Sequence, residues 1–276
     1  MTMGEREKQW ERRSILKRGE TDPNAVDDAV AIEEPLEIRI AGETVAVTMR
    51  SPGQDDWLTA GFLLSEGIIS TLGDVSRIYH CGRPGTETFR NTIDVIPSPG
   101  LALDLPDLTP SKRGTLTSSA CGVCGRQSID DLLERCEPFE GVTPIDSRVV
   151  TQALSTIQEH QPTFEATGGV HAAAIFTDTG ALVACSEDIG RHNAVDKVVG
   201  SSLYEEDWPE GALLAVSGRA SFEMIQKAAM ARLPYVVSVS AASTLAVDLA
   251  DRMNMTVIGF ARRGRMNVYT YPERLQ

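Results

Sequence analysis

Cys121 and Cys124, in Thr117-Ser-Ser-Ala-Cys-Gly-Val-Cys-Gly-Arg126, are the residues of this chain best suited to chemistry. Two thiols at that spacing can share a metal, close a disulfide or pass a sulfur atom between them. Ile129, Leu132 and Leu133 follow at helical spacing, so the pair is expected at the mouth of a helix. There the macrodipole lowers a thiol pKa and raises the thiolate fraction. Gly122 and Gly125 clear space beside the sulfurs for a bulky partner, and Arg126 adds positive charge.

Three chemistries compete for the pair. A zinc site needs about four ligands. The remaining donors, His80, Cys81, Cys136, His160, His171, Cys185 and His192, are scattered and contain no second CxxC. Zinc deaminases place His-x-Glu before Pro-Cys-x-x-Cys. Here His171-Ala-Ala173 lacks the glutamate and follows the cysteines, and no proline precedes Cys121. No metal site is expected. A thioredoxin-like dithiol should follow a strand of a βαβ unit, whereas a proline-rich stretch precedes this pair. In the third reading, one thiolate carries a persulfide, and the second thiol relays or expels the sulfur. Cys81, Cys136 and Cys185 are read as structural or incidental.

Phosphate-suited loops form a second group of candidates. The second half of the chain alternates strands, expected near 212–216, 235–239 and 256–260, with helices near 221–232 and 244–253. That order favours parallel neighbours. Ligands of such sheets bind beyond the carboxyl ends of the strands. Those ends read Ser217-Gly-Arg-Ala-Ser221, Ser240-Ala-Ala-Ser-Thr244 and Ala261-Arg-Arg-Gly-Arg265, and Glu187-Asp-Ile-Gly-Arg-His-Asn193 precedes another helix. Small residues, hydroxyls, helix starts and arginines suit phosphate groups. Ser217, Gly218, Arg219, Ser243, Thr244, Arg191 and His192 are the candidates beside Ala261, Arg262, Arg263, Gly264 and Arg265. His171, ahead of a strand of small residues, is a weaker one.

The elements that must position these residues read as follows. Residues 1–30 read as a mobile charged tail. Residues 31–114 read as a small α+β domain: a hairpin around Ala41-Gly42, a helix after Ser51-Pro52, strands near 75–79 and 88–96, and a proline-rich linker over 97–114. Residues 115–276 read as an α/β domain carrying the cysteine loop, with a hairpin at 172–177 and 181–185 and a helix over about 193–199. Net charge over the 276 residues is −13, which disfavours non-specific nucleic-acid binding. No apolar run is long enough to span a bilayer, and the charged first residues lack a secretory apolar core, so cytoplasm is expected and a membrane role is not.

The ordered set of motifs resembles the FdhD family of formate dehydrogenase accessory sulfurtransferases. The matching stretches include Phe62-Leu-Leu-Ser-Glu-Gly-Ile-Ile69, Cys121-Gly-Val-Cys-Gly125, Gly169-Val-His-Ala-Ala-Ala174 and Glu187-Asp-Ile-Gly-Arg-His192. They continue through Ala194-Val-Asp-Lys197, Ser221-Phe-Glu-Met224, Ser240-Ala-Ala-Ser-Thr-Leu-Ala-Val247 and Gly259-Phe-Ala-Arg-Arg-Gly-Arg265 to Val268-Tyr-Thr270. The resemblance implies a cytoplasmic homodimer whose larger domain has a cytidine-deaminase-like α/β fold without the deaminase zinc. It implies that a cysteine desulfurase loads a persulfide on Cys121. That sulfur then passes to the molybdenum cofactor, bis(molybdopterin guanine dinucleotide), of formate dehydrogenase. Cys124 assists or resolves, and the resemblance maps the cofactor stretch to Phe260-Ala-Arg-Arg-Gly-Arg265, which adds Phe260 to the candidates. A chaperone that only binds the cofactor, and a CxxC dithiol reductase, are the rival readings.

Overall fold

Residues expected to be a charged tail contain two paired strands. The computed structural model describes residues 8–18, 24–82, 89–100, 135–205 and 213–276. In it β1 (Trp10–Lys17) pairs antiparallel with β2 (Asn24–Ala31), setting Ile15 opposite Val26 and Arg13 opposite Asp28. Charges that read as a solvated run are thus partly complementary across strands, which favours pairing. Gln9 anchors the base of this ribbon: its side chain donates to the Pro52 carbonyl at 3.2 Å and accepts from the Thr163 hydroxyl at 2.7 Å.

The hairpin expected around Ala41-Gly42 forms between β3 (Glu34–Ile40) and β4 (Glu43–Arg50). Its two turn residues have φ of 50° and 86°, the left-handed pair that a two-residue hairpin turn requires. Next come α1 (Asp55–Ser65), β5 (Val75–His80) and β6 (Thr92–Pro97), and the small sheet runs β4-β3-β6-β5. Leu36, Ile38 and Ile40 face inward, while Glu37, Arg39, Thr44 and Thr92 meet on the other face. The linker beyond residue 100, the 114/115 boundary, Cys121, Cys124 and the helix expected after them lie outside the described residues.

The second half opens with two helices that the sequence reading does not contain, α2 (Ser147–Glu159) and α3 (Pro162–Thr167). Their signal is present in hindsight: Asp146 caps α2 by accepting from the Arg148 N–H, and Val149, Val150, Ala153 and Ile157 form its buried stripe. Then follow β7 (His171–Phe176), β8 (Leu182–Asp188), α4 (Arg191–Leu203), β9 (Leu213–Val216), α5 (Phe222–Met230), β10 (Tyr235–Ser238), α6 (Thr244–Arg252), β11 (Thr256–Arg262) and β12 (Arg265–Val268). Strand order is β12-β11-β10-β9-β7-β8. As expected from the strand–helix alternation, β9, β10 and β11 are parallel, with β7, β8 and β12 as antiparallel additions.

Alternate residues of the central strands enter two different cores. Ala173, Ile175, Leu214, Val216, Val236 and Val257 join one cluster, and Ala172, Phe176, Leu213, Tyr235, Val237 and Ile258 join the other. A sheet buried on both faces needs near-continuous apolar strands, which these are. The first cluster also holds Leu36, Ile38, Ile93 and Leu58, so the small sheet and the large one share a core. Their joint is the crossing of α1 and α4. A Cβ on Gly61 would stand 1.9 Å from the Asp196 carbonyl oxygen, and one on Gly200 would stand 1.8 Å from that of Trp57. Only glycine permits that approach.

Candidate functional site

The carboxyl ends of β8, β9, β10 and β11 lie at one end of the large sheet, together with the start of β7. This brings together the loops singled out in sequence. Ser238, fully buried at the end of β10, ties two of them: its hydroxyl donates to the Gly218 carbonyl at 2.6 Å and accepts from the Ser240 N–H at 3.0 Å. The Ala220 N–H donates to Ala241 and the Ser243 N–H to Ala220, while the Phe260 N–H donates to the Ser240 carbonyl at 2.9 Å. Ser238 is absent from the sequence candidates because a buried strand-end serine has no motif of its own.

At the β11–β12 end, Arg263 and Gly264 form a two-residue turn with φ of 51° and 73°, and Arg262 pairs with Arg265 across it. All three arginines are exposed. Among the described residues, no carboxylate lies within ion-pair distance of them. Phe260 precedes them at a register shift, 41% exposed, with φ of 51°. A left-handed aromatic residue carries strain of order 1–3 kcal/mol, and here it turns a ring outward beside three cations. Ala261 is the exception to the expected surface: its side chain is buried in the second core.

At the β8–β9 end, Gly218 lies between Arg191 and His171. A Cβ there would stand 3.2 Å from Arg191 Cδ and 3.6 Å from His171 Nδ1. Arg191 Nε and His192 Nε2 are buried atoms without a hydrogen-bond partner among the described residues. His192 Nε2 faces the Glu223 carboxylate at 3.8 Å, a charge contact longer than a hydrogen bond. That imidazole is the main reason the Glu223 carboxyl is pulled down to about 2, and desolvation opposes it. Burial, then the charges of Arg191 and His192, push His171 below its ordinary value, so it is neutral near pH 7. The sequence reading assigns Glu223 no role; its cues are its place in the Ser221-Phe-Glu-Met224 stretch and in the first turn of α5.

Several other candidates have structural duties. The Ser217 hydroxyl accepts from the Ala172 N–H at 2.9 Å, and the Ser243 hydroxyl caps α6 by accepting from the Ala246 N–H. Thr244, the first residue of α6, and Arg219, in the loop after β9, are exposed. Within the 187–193 segment, Glu187 accepts from the Thr163 and Phe164 N–H groups and so caps α3. Asp188 pairs with the fully buried Lys197 at 2.7 Å and accepts from the N–H groups of Ser51 and Gly190 and the amide of Asn193. What this segment leaves for a ligand is Arg191 and His192.

The described residues contain no group of three or more His, Cys, Asp or Glu placed to hold a metal ion. Burial raises the thiol pKa of Cys81, and that of Cys185 to about 11, while Cys136 is buried and donates to the Ala229 carbonyl. The raised values disfavour the nucleophilic thiolate at Cys81 and Cys185. A cleft of about 530 Å³ beside Cys136, Arg135 and Arg232 lies toward the opposite ends of the strands. No described helix is long and apolar enough to cross a membrane.

Comparison with known proteins bears on the whole chain. The FdhD/NarQ family pattern matches residues 31–276. The chain is 50% identical over 270 residues to the sulfur carrier protein FdhD of Anaeromyxobacter dehalogenans (strain 2CP-C), covering 95% of this chain and 92% of that protein. It is 43% identical over 274 residues to the protein of the same name from Streptomyces coelicolor, covering 96% and 95%. A crystal structure from Desulfotalea psychrophila, of a candidate formate dehydrogenase accessory protein, superposes with a TM-score of 0.76 at 24% identity. It covers 98% of this chain and all of the other, and so shares the fold.

Proposed function

Because the chain belongs to the FdhD/NarQ family, we propose that it is a sulfur carrier in the maturation of formate dehydrogenase. The observation that carries this reading is the match to proteins named sulfur carriers over nearly the full length of both chains. In the proposed reaction, Cys121 thiolate attacks the sulfane sulfur of a desulfurase persulfide, forming Cys121–S–S⁻ and releasing the desulfurase thiolate. The terminal sulfur then becomes a ligand of the metal of bis(molybdopterin guanine dinucleotide), the cargo, and Cys121 returns to thiolate. This second transfer moves sulfur at the zero oxidation level, so the metal centre supplies two electrons. Cys124 relays the persulfide or resolves it.

The loops at the sheet end suit a pyrophosphate with a planar base. Arg262, Arg263 and Arg265 have no carboxylate within ion-pair distance among the described residues, and Phe260 offers an exposed ring. α5 begins nearby at an N-cap whose side chain does not cap it. Activation of a desulfo formate dehydrogenase by wild type, Cys121→Ala and Cys124→Ala tests the reading. Loss with Cys121→Ala, together with added sulfur on wild-type Cys121 in mass spectra after exposure to desulfurase and cysteine, is expected. Full activation by Cys121→Ala would instead favour a chaperone that only binds cofactor.

A further inference from the structure

Phe260 and Gly259 stand in each other's expected places. The shift of register between Gly259 and Arg262 sets Phe260 as the extra residue of a β-bulge, at a φ of 51°, a conformation that normally selects glycine. Gly259 has no such φ. What keeps it without a side chain is space: a Cβ there would stand 2.8 Å from Tyr269 Cε2 and 3.0 Å from the Ser240 carbonyl oxygen. β11 thus seats the Tyr269 ring against its own backbone, beside the loop that begins at Ser240, and turns the Phe260 ring outward. Tyr269 stays 36% exposed and Phe260 41%. A single exposed ring is ordinary on a protein surface. Two rings placed by a bulge and by a close approach to backbone are not, and both devices recur where a ligand comes near. By contrast, Tyr235 and Tyr271 are tied into the fold through their hydroxyls, which donate to the Thr143 and Asp251 carbonyls.

β12 forms one edge of the large sheet, and its side chains alternate. Met266 and Val268 pack against the second core, whereas Arg265, Asn267 and Tyr269 are exposed. The Tyr269 N–H still donates to the Val257 carbonyl at 2.9 Å, so the three follow one strand line. Successive members lie about 6.8 Å apart along it, which gives an ordered strip of cation, amide and aromatic ring. A nucleoside diphosphate presents its groups in the matching order: phosphate, sugar, base. We infer that the Tyr269 ring is the platform on which the planar base of the cargo nucleotide stacks, with its phosphates at Arg263 and Arg265 and its sugar along Asn267. The ring makes the site favour a purine. This rests on the reading of a nucleotide-bearing cargo. It assigns the part of the ligand that the arginines cannot read, since phosphates are common to all nucleotides.

Calorimetric titration of the full chain with guanosine diphosphate, uridine diphosphate and pyrophosphate tests it. Wild type is expected to bind guanosine diphosphate more tightly than uridine diphosphate, because the larger base has more ring to stack. Tyr269→Leu keeps bulk against Gly259 but lacks an aromatic face. It is expected to weaken guanosine diphosphate about tenfold, the scale of one lost base–aromatic stack. It should also narrow the preference over uridine diphosphate and change pyrophosphate affinity less than about twofold. Tyr269→Phe should bind as wild type does, and Arg263→Ala with Arg265→Ala should weaken all three ligands alike. Unchanged guanosine diphosphate affinity in Tyr269→Leu overturns the inference and leaves the cargo reading in place. So does an equal loss of pyrophosphate, which would make the ring only a support for the arginine turn, or a loss in Tyr269→Phe as large as in Tyr269→Leu. Absence of nucleotide binding in wild type overturns the cargo reading, and the inference with it. Thermal melting identifies any variant that fails to fold, and Tyr269→Gln replaces Tyr269→Leu if that variant does.

Discussion

Glu223 and His171 respond to pH at the same sheet end. Glu223 is pulled to about 2 from an ordinary 4.5, first by His192. A depressed carboxylate stabilises the fold above its unfolded value, and that contribution disappears as pH falls from about 4.5 toward 2. Glu223→Gln should therefore lower stability by about 1 kcal/mol near neutrality, allowing for solvent screening. Urea midpoints should show the gap between wild type and variant closing as pH approaches 2. His171 is a depressed base, with burial as the main cause. The unfolded chain takes up its proton near pH 6.5 before the folded chain does, so stability falls as pH drops below that value. An NMR titration of the His171 ring should give a midpoint below 6.5, and His171→Gln should flatten this part of the stability profile. A midpoint at or above 6.5 would contradict the burial argument.

At the scale of elements, the glycines of the α1–α4 crossing separate two kinds of glycine. Gly61→Ala or Gly200→Ala would place a methyl within 2 Å of a backbone carbonyl oxygen. Neither carbonyl can move without moving its helix, so about 3 kcal/mol or more should be lost, or the chain should fail to fold. Gly42 has open space around its Cβ position but a φ of 86°, so Gly42→Ala should cost only about 1 kcal/mol of backbone strain. Denaturant midpoints for the three variants test the ranking. Sequence shows where some of these elements are and not how they meet. The β3–β4 turn was legible because Ala41-Gly42 interrupts a clean period of two. α2 is marked in sequence only by Asp146 and the Val149–Ile157 stripe. The ribbon of β1 and β2 looks like a tail in sequence because its charges outnumber its apolar residues, and only pairing sets Arg13 opposite Asp28.

For the molecule as a whole, Lys197 is the fastening between halves. Its ammonium is fully buried, pairs with Asp188 at 2.7 Å and donates to the Ser51 carbonyl at 2.9 Å, across from the N-terminal half. Lys197→Met leaves Asp188 buried and unpaired, which should cost roughly 3–5 kcal/mol. Adding Asp188→Asn should recover part of that loss, because the unpaired charge is then gone. Equal loss in the single and double variants would mean that the pair contributes little beyond packing.

The same residues show what each level of description decides. The sequence by itself determined the cysteine pair, the parallel order of β9, β10 and β11 and the arginine cluster after β11, because spacing and periodicity are local properties; the tight turn into β12 is a finding of the structure. The tertiary structure alone decided that Ser217, Ser243, Glu187 and Asp188 serve the fold. It also decided that Ala261 points inward and that Arg191 and His171 pack against Gly218. Each of these depends on which distant backbone group supplies a hydrogen bond or fills a space, and no local pattern records that.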